Sequence, residues 1–361
     1  MFQILHLVYP GMGGSKDVVF SLIEADQKKK LSHNILFIGP KLFIYDLKKT
    51  KRLGVKFSFV KTLKFFYFFS MFQTLYKIKF FKPELILIHN YYIIPCLIYK
   101  IFNPKVKLFY INHTPISLLD WRDKQIKYFS YFLHKIIVLN KNSLNLISSL
   151  YRVPIKKISV IHNGVNTNFF TPKSKKKNKL FFKMGMACRV NKIKLYDLVA
   201  NALNSNSLKD LNIKFSLAGI GQDLKNFKTR IKYKGLQKKI ECIGYLNQTD
   251  LKKWLRTLDL YIQASRGEGM SISLLSAMSS GVPVLASRVE GIKDFLCKKY
   301  LGILFNNEVE ELAKQIRFFY FLNNKEKNKY SQISRKYIVS NFNYEKMFKS
   351  YFFEISQALN R

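Results

Sequence analysis

The chain has 361 residues, of which 48% are hydrophobic and 23% are charged. This balance excludes a disordered chain, and the length predicts two domains of roughly 150–200 residues each. The formal charge of +40, from 62 Lys and Arg against 22 Asp and Glu, favours polyanionic partners such as nucleic acid, anionic lipid or phosphorylated substrates. A chain this rich in Lys, Asn, Ile, Phe and Tyr also carries lysines that only solvate its surface.

The amino terminus begins with a predicted strand, and no charged leader or cleavage signal precedes it, so we expect no signal peptide. The most membrane-like stretch, 65–76, is too short to span a bilayer, which takes about 20 residues. The cysteines are far apart, form no C-x-x-C pair and are expected to be buried free thiols, as in a reducing cytoplasm. They are Cys96, Cys188, Cys242 and Cys297.

In the first half of the chain, runs of branched and aromatic residues alternate with helix-like segments, which predicts βαβ units around a parallel sheet. The predicted strands are Phe2–Val8, Ile35–Ile38, Val55–Val60, Leu85–His89, Lys107–Ile111 and Ile136–Leu139. The predicted helices are Lys16–Lys29, Thr62–Lys79, Tyr92–Ile101 and Ser143–Leu150. The helix at 62–79 combines aromatics with lysines, as an interfacial membrane helix does, but its lack of a clean polar face favours a buried helix with basic ends.

A polar, basic tract at 173–179 interrupts this pattern and predicts an interdomain linker. The alternation then restarts, and after Leu312 the chain is predicted to be helical to its end. The second set of strands is Leu180–Met186, Lys214–Ala218, Ile240–Ile243, Leu260–Gln263 and Val282–Ala286. The predicted fold class is α/β, with Rossmann-like domains at 1–170 and 171–340 followed by a C-terminal helix at 341–361.

The segment that carries most chemistry is 264–287. A strand ends, a Gly-Glu-Gly loop turns, and a short helix begins whose candidate N-cap is Ser271. In an open α/β sheet such loops lie at the carboxyl ends of the strands, where ligands bind. Free amides and the positive end of the helix predict an anion site, while Glu268 supplies an acceptor for sugar hydroxyls. The amides concerned are those of Gly269, Met270 and Ser271.

This segment resembles the signature E-G-[FM]-x-x-x-L-L-E-A-M-x-x-G-x-P-V of retaining glycosyltransferases with the GT-B fold, which make bacterial polysaccharides and glycolipids. Glu268 matches the first acid, which in that family contacts the donor sugar. Ser276 stands in the place of the second acid, which usually holds the ribose hydroxyls, and a hydroxyl binds more weakly than a carboxylate. The resemblance implies two Rossmann-like domains facing each other across a cleft, with the last helix crossing back to the first domain.

Further matches follow in the family's order. The segment 156–166 resembles K-I-x-V-I-x-N-G-V-D, which closes the family's first domain. The segment 187–194 resembles the G-R-L-x-x-x-K-G motif, which implies Arg189 and Lys194 as a cationic clamp on the donor diphosphate; Leu195 replaces the last glycine. Two cations there neutralise charge on the leaving nucleotide, so the resemblance implies no metal ion or other cofactor.

Weaker matches complete the donor side. The turn at 243–245 resembles an F-x-G turn near the nucleotide base, which implies Tyr245 in donor binding. The loop Pro10–Asp17 resembles the family's Gly-Gly loop near the donor phosphates, and it lacks the spacing of a P-loop or a dinucleotide fingerprint. The residues implied there are Gly13 and Gly14.

Two histidines end predicted strands of the first domain. A histidine in such a position is more often structural than catalytic. His113, however, matches the family position that faces the donor sugar, which implies that it orients the sugar and shares charge at the reacting centre. His89 is expected to line the cleft at most.

The resemblance implies a hexosyltransferase that uses a UDP- or GDP-sugar and a lipid-linked or polysaccharide acceptor, as for lipopolysaccharide, O-antigen or capsule. Such acceptors and the charge imply a cytoplasmic protein peripheral to the anionic inner face of the membrane. No RNA-binding aromatic motif is present, so nucleic acid is not an expected partner. A nucleotide-sugar epimerase or hydrolase stays open, with Asp17, Asp120 and Asp123 as candidate acids. A catalytically weak, basic membrane-binding protein also stays open.

Overall fold

The computed structural model describes residues 1–11, 13–62, 67–89, 92–115, 125–173 and 180–359. The chain divides into two compact units, the first comprising Met1–Gly164 with Tyr344–Arg361 and the second Val165–Asn343. Over the described residues, each unit is built around one parallel sheet, of seven strands in the first and six in the second. The predicted pair of α/β units is thereby confirmed. Most of the predicted linker, together with Asp120 and Asp123, lies outside the described residues.

The first unit orders its strands β3-β2-β1-β4-β5-β6-β7. The strands are β1 Phe2–Val8, β2 Leu31–Gly39, β3 Lys56–Lys61, β4 Leu85–Ile88, β5 Lys107–Asn112, β6 Lys135–Val138 and β7 Ile158–Val160. The helices are α1 Gly14–Ala25, α2 Ile44–Arg52, α3 Tyr67–Phe81, α4 Ile93–Phe102, α5 Ile126–Phe129, α6 Lys141–Tyr151 and the C-terminal α13 Tyr344–Leu359. Strands β2 and β3 are added on one side of β1, and the strands from β4 onwards are added on the other side. The loops after β1 and β4 therefore diverge and leave room for a ligand.

Helices cover both faces of this sheet, which is why its strands are almost continuously apolar. One face buries Leu5 and Ile86 in a core with residues of α3 and α4. The other buries Ile35 and Phe37 in a core with residues of α1. Because each fully buried aliphatic side chain contributes about 1.5–3 kcal/mol, these two layers fix the positions of the strand ends.

The C-terminal helix α13 belongs to the first unit, as the resemblance implied, and begins at Tyr344. It packs against α1 and buries Tyr351 and Ile355. Glu354 accepts a hydrogen bond from Ser159 Oγ at 2.7 Å and pairs with Lys135 at 3.0 Å. The end of the chain therefore completes the helical layer of the unit in which the chain begins.

The second unit orders its strands β10-β9-β8-β11-β12-β13. The strands are β8 Phe182–Ala187, β9 Ile213–Ala218, β10 Ile240–Gly244, β11 Leu260–Gln263, β12 Val284–Ser287 and β13 Ile303–Phe305. The helices are α7 Tyr196–Asn204, α8 Leu224–Tyr233, α9 Gln248–Leu255, α10 Ile272–Ser279, α11 Val309–Phe321 and α12 Asn324–Asn341. Here β9 and β10 are added on one side of β8, and the strands from β11 onwards are added on the other side. The loops after the neighbouring strands β8 and β11 therefore form the corresponding ligand position.

Helix α3 shows that the interpretation of 62–79 as a buried helix is wrong. Its inward face carries the small or aliphatic side chains of Ser70, Thr74 and Ile78, which are buried. Its outward face carries large aromatic side chains that are 59% to 76% exposed, which we name the aromatic stripe. The stripe consists of Phe68, Phe69, Phe72, Tyr76 and Phe80. The usual amphipathic order is inverted, so folding of the first unit does not account for these rings.

Within the described ranges, no helix is both long and apolar enough to cross a bilayer. The cysteines are free thiols, and the expectation that all four are buried is wrong. Cys96 and Cys188 are buried, but Cys242 is half-buried and Cys297 is exposed. Cys297 follows the apolar Leu296 in an irregular segment before β13, where burial of one neighbour does not extend to the next.

Candidate active site

Two loops of the second unit meet at the carboxyl edge of its sheet. One follows β8 and carries Arg189 and Lys194, and the other follows β11 and carries Glu268. β8 and β11 pair directly, and an antiparallel bridge between Lys194 and Ser265 joins the loops beyond the strands. Backbone hydrogen bonds of 3.0 Å flank this bridge on either side. The structure thus brings together Lys194 and Glu268, which were predicted from separate motifs.

Glu268 is buried and is held by two donors. Its Oε1 accepts hydrogen bonds from Lys194 Nζ, in a short ion pair, and from Gln263 Nε2 at 2.6 Å. Gln263 Oε1 in turn accepts from Ser271 Oγ and from the Tyr261 hydroxyl, both at 3.2 Å. Among the described residues, Oε2 of Glu268 has no hydrogen-bond partner, so this oxygen is available to a ligand.

Ser271 caps helix α10 as predicted, because its Oγ accepts the amide three residues further on at 3.3 Å. Within the described part of the chain, the amides of Ile272 and Ser273 in the first turn have no acceptor. Such amides, together with the helix dipole, attract anions. The preceding loop contributes buried Gly269 and half-buried Met270. The first turn of α10 therefore offers amides to an anion, while an anion contact of the amides of Gly269, Met270 and Ser271 stays a prediction.

Ser276 occupies the place of the related signature's second acid, and it is fully buried. Its Oγ donates to the Ile272 carbonyl at 2.9 Å, so the hydroxyl is satisfied within the helix. A contact with ribose hydroxyls, as the resemblance implied, would need this side chain to reach the surface. Since it does not, we leave Ser276 out of the donor contacts proposed below.

The loop after β8 is supported by the loop after β9. Val190 N donates to the Ile220 carbonyl at 3.0 Å, and a Cβ on Gly221 would lie 2.1 Å from the Val190 carbonyl oxygen. Only glycine permits this approach. Arg189 is exposed on the supported loop, and Tyr245 lies half-buried directly after β10 at the same edge of the sheet.

Gly291 and Gln263 support Glu268, and the sequence did not predict either. Gly291 has a φ of +77°, and a Cβ there would lie 1.9 Å from the Glu268 carbonyl oxygen and 2.6 Å from that of Gly269. The Glu268 amide donates to the Glu290 carbonyl at 3.3 Å, so the turn at 290–291 packs directly against the loop. For Gly291, the one signal in the sequence was a glycine shortly after a predicted strand. For Gln263, a side-chain amide at the end of a strand gives no signal of a role in the site.

In the first unit, Gly13 and Gly14 begin helix α1 after β1. Their loop is braced by Asp46 of α2, a fully buried carboxylate that accepts from the Gly11 amide at 2.7 Å and pairs with Lys16 at 2.8 Å. Burial raises the pKa of Asp46, and Lys16 opposes this shift. The sequence did not predict α2, so this brace was missed.

His113 directly follows β5 at the carboxyl edge of the first unit's sheet and is half-buried. Its Nε2 lies 2.9 Å from His89 Nδ1. Burial lowers the pKa of His113 to about 4, so the ring is neutral at pH 7. His89 is itself buried and also contacts His6, at 3.2 Å. It therefore supports His113 from the interior of the unit and does not line an open surface.

Two family models match this chain over successive ranges. The family model described as Glycosyl transferases group 1 matches residues 166–337, and the model described as Glycosyltransferase Family 4 matches residues 12–169. The uncharacterized glycosyltransferase MJ1069 of Methanocaldococcus jannaschii is 26% identical over 79% of this chain and 77% of its own length.

A second relative covers less of the chain. The Escherichia coli UDP-Gal:alpha-D-GlcNAc-diphosphoundecaprenol alpha-1,3-galactosyltransferase is 28% identical over 58% of this chain, which spans just over half, 56%, of that enzyme. Among solved structures, Anabaena Alr3699/HepE in complex with UDP-glucose matches with a TM-score of 0.83 at 16% identity, over 99% of this chain and 100% of that one. This likeness confirms the predicted GT-B fold.

The contact under Glu268 leads to a first prediction. Gly291→Ala should displace the Glu268 loop and abolish turnover, because its new Cβ meets backbone that cannot rotate away. Gly235→Ala is the matched control, since Gly235 has a φ of +67° but nothing within 4 Å of its Cβ position. In both variants an alanine must adopt a left-handed backbone conformation, which lowers the free energy of unfolding by about 1–2 kcal/mol. Urea unfolding measures this loss. Full turnover in a folded Gly291→Ala variant would show that the loop does not depend on this contact.

Proposed function

We propose that this chain, which belongs to the group 1 glycosyltransferases, moves a hexose from a UDP- or GDP-linked donor to a lipid-linked or surface-polysaccharide acceptor. Acceptors of this class serve lipopolysaccharide, O-antigen or capsule, and the anomeric configuration is retained. The observation that supports the proposal most directly is the pairing of Lys194 with Glu268 on joined loops.

In this proposal the donor diphosphate binds to Lys194, Arg189 and the first amides of α10. Lys194 now contacts Glu268, and an incoming diphosphate shares its ammonium group. Two cations and a helix amino terminus neutralise the charge that builds up on the leaving phosphate. The reaction therefore uses no metal ion or other cofactor.

Glu268 binds and polarises the sugar in this proposal, with Oε2 accepting a sugar hydroxyl while Gln263 and Lys194 hold Oε1. His113 is a further sugar contact on the strength of the resemblance. The bond between the anomeric carbon and the donor phosphate breaks as the acceptor oxygen attacks the same face. The acceptor proton passes to the leaving phosphate oxygen, so no protein nucleophile is needed.

No observation favours the epimerase or hydrolase alternative. Of its candidate acids, Asp17 lies 3.8 Å from Lys16 in the first turn of α1, and Asp120 and Asp123 lie outside the described residues. The second alternative, a catalytically weak, basic membrane-binding protein, is not favoured by membership of a transferase family.

The donor class can be tested with a screen of UDP- and GDP-hexoses by thermal shift and by transfer to undecaprenyl-diphosphate sugars. The name of the galactosyltransferase relative includes both UDP-Gal and a diphosphoundecaprenol acceptor, which motivates the set. A donor at 100 times its Kd adds about 2.7 kcal/mol to folded-state stability and raises Tm. We expect transfer that survives EDTA and gives the retained anomer. No transfer from any donor, or transfer only with added metal ions, contradicts the proposal.

Glu268→Gln separates donor binding from transfer. Loss of the carboxylate removes an anion that pairs with Lys194, so UDP alone should bind as tightly as in the wild type or more tightly. Transfer should fall at least about a hundredfold, because a neutral amide holds the reacting sugar less strongly than a carboxylate. Calorimetry with UDP and a transfer assay measure the two effects.

The control is Glu241→Gln, which neutralises an exposed carboxylate on β10 of the same unit. It should change neither UDP affinity nor transfer. Weaker UDP binding in Glu268→Gln would mean that Glu268 orders the site and not that it competes for Lys194.

We also propose that the aromatic stripe of α3 binds the anionic inner face of the cytoplasmic membrane. The rings of the stripe point outward, while the small polar residues of α3 face the core. The adjacent helix α4 ends in Ile101 and Phe102, which are 71% and 78% exposed. Lys79 and Lys82 are exposed at the end of α3. Aromatic rings beside lysines are the pattern of an interfacial helix on an anionic bilayer, and the +40 charge supports the same surface.

Replacing two rings of the stripe tests this contact. Each ring inserted into the interface contributes about 1.5–3 kcal/mol, so Phe72→Ser with Tyr76→Ser should weaken binding to phosphatidylglycerol vesicles at least about tenfold. The control pair is Tyr233→Ser with Phe321→Ser, two exposed rings of the second unit. Cosedimentation measures binding, and transfer to a soluble acceptor should be unchanged. Equal loss in both pairs would refute a specific role for α3.

A further inference from the structure

Four of the six histidines form one row across the sheet of the first unit. They come from four neighbouring strands in the order β2, β1, β4 and β5. We name them the histidine row, which consists of His33, His6, His89 and His113. His6 and His89 are buried, and the His33 side chain is 6% exposed.

The register of the strands explains the row. Ile4 pairs with His33, and His6 lies two residues further along β1. His6 pairs with Leu87, and His89 lies two residues further again. Each step to the next strand therefore advances two residues towards the carboxyl edge while staying on one face of the sheet. The rings lie edge to edge along this diagonal, with centroids 5.2 to 5.5 Å apart and planes inclined by only 20° to 28°.

The rings are linked head to tail. His33 Nδ1 lies 2.9 Å from His6 Nε2, His6 Nδ1 lies 3.2 Å from His89 Nε2, and His89 Nδ1 lies 2.9 Å from His113 Nε2. A neutral imidazole has one N–H and one acceptor nitrogen. Since every link joins an Nδ1 to an Nε2, neutral rings linked in this way all carry their proton on the same type of nitrogen.

Asp26 lies at the inner end of the row. Among the described residues the buried His33 Nε2 makes no hydrogen bond of normal geometry, and Asp26 Oδ2 is 3.4 Å away. Burial would raise the pKa of Asp26, but His33 and the amides of Lys30 and Leu31 outweigh burial and lower this pKa. Asp26 is therefore a carboxylate, and it attracts a proton on the facing nitrogen of His33.

Three rings of the row, His6, His89 and His113, are neutral at pH 7. Burial, followed by the neighbouring rings, lowers the pKa of His6 and of His89 well below the ordinary value. The pKa of His113 is lowered to about 4 by burial alone. At the outer end, His113 Nδ1 has no hydrogen-bond partner within the described ranges.

We propose that Asp26 and the histidine row set the tautomer of His113, so that every ring carries its proton on Nε2 and His113 presents an unprotonated Nδ1 at the carboxyl edge of the sheet. Asp26, His33, His6 and His89 are then positioning residues that act through His113. The inference rests on the proposed function only for what Nδ1 faces, namely the donor sugar.

A fixed tautomer has a chemical consequence. Four aligned imidazole dipoles turn their negative ends towards His113 Nδ1, and hydrogen bonds in a chain polarise one another. Glycosyl transfer develops positive charge on the sugar ring as the leaving group departs. A lone pair aimed at that charge stabilises the transition state, whereas an N–H in the same place would oppose it.

Asp26→Asn is the decisive variant, because an asparagine amide can donate to His33 Nε2 and so favours the opposite direction of the whole row. Nitrogen-15 NMR of the full chain with labelled histidine reports which ring nitrogen is protonated. In the wild type we expect the row to show four Nε2–H tautomers. In Asp26→Asn we expect Nδ1–H forms to replace them. Asp210→Asn, at an exposed aspartate of the second unit, should leave the wild-type pattern.

The same variants are then assayed for transfer. Asp26→Asn should lower kcat about tenfold or more while the KM for the donor changes less than about twofold, because only the charge developing in the transition state is affected. A purely structural role would leave the tautomers unchanged. Mixed or Nδ1–H tautomers in the wild type overturn the proposal, as does an Asp26→Asn spectrum identical to the wild type.

The spectra need no donor, so they separate this inference from the proposed function. Wild-type Nε2–H tautomers without any transfer would support the row and contradict the transferase assignment. If Asp26→Asn does not fold, the wild-type tautomers alone decide, with assignment by single His→Gln variants. His134 and His162 lie outside the row and serve as internal references in every spectrum.

Discussion

The bridge between Lys194 and Ser265 joins the loops on which the proposed donor contacts depend. It can form because β8 and β11 pair although β9 and β10 lie between them in the chain. An exposed Lys–Glu pair contributes little, about 0–1 kcal/mol. Here Gln263 and the turn at Gly291 hold Glu268 in a buried position, so the pair is aligned before any ligand arrives. Preorganisation of this kind places charge at the site without cost at the moment of reaction.

Because the chain has few carboxylates, the contacts of the buried and half-buried ones indicate their roles. With 62 Lys and Arg against 22 Asp and Glu, most surface lysines are interchangeable, whereas a buried acid that loses its partner leaves an uncompensated charge. Of the buried acids, Asp46 braces the glycine loop, Asp26 ends the histidine row, and Glu268 joins the two loops of the second unit. The half-buried Glu354 anchors the C-terminal helix. Asp46, Glu354 and Glu268 each connect segments that are distant in the sequence.

The sequence predicted most strands, because apolar runs are local signals, and it indicated Lys194 and Glu268 separately through two motifs. It did not predict β7 or β13, which are three residues each, or α2, which is nine residues long and has only three apolar residues among three lysines and an arginine. The inverted face of α3 was misinterpreted because aromatic residues normally indicate a core. Gln263 and the histidine row were out of reach, since they depend on strand register and on which ends meet in space.

The alternation of side chains along β1 separates the two proposed activities of the first unit. Leu5 and Leu7 point into the core that α3 and α4 cover, whereas His6 points to the opposite face, with Val8 and the residues that α1 covers. The aromatic stripe and the histidine row therefore lie on opposite faces of one sheet. The proposed membrane contact and the proposed tautomer of His113 therefore depend on two sets of side chains that share no face of the sheet.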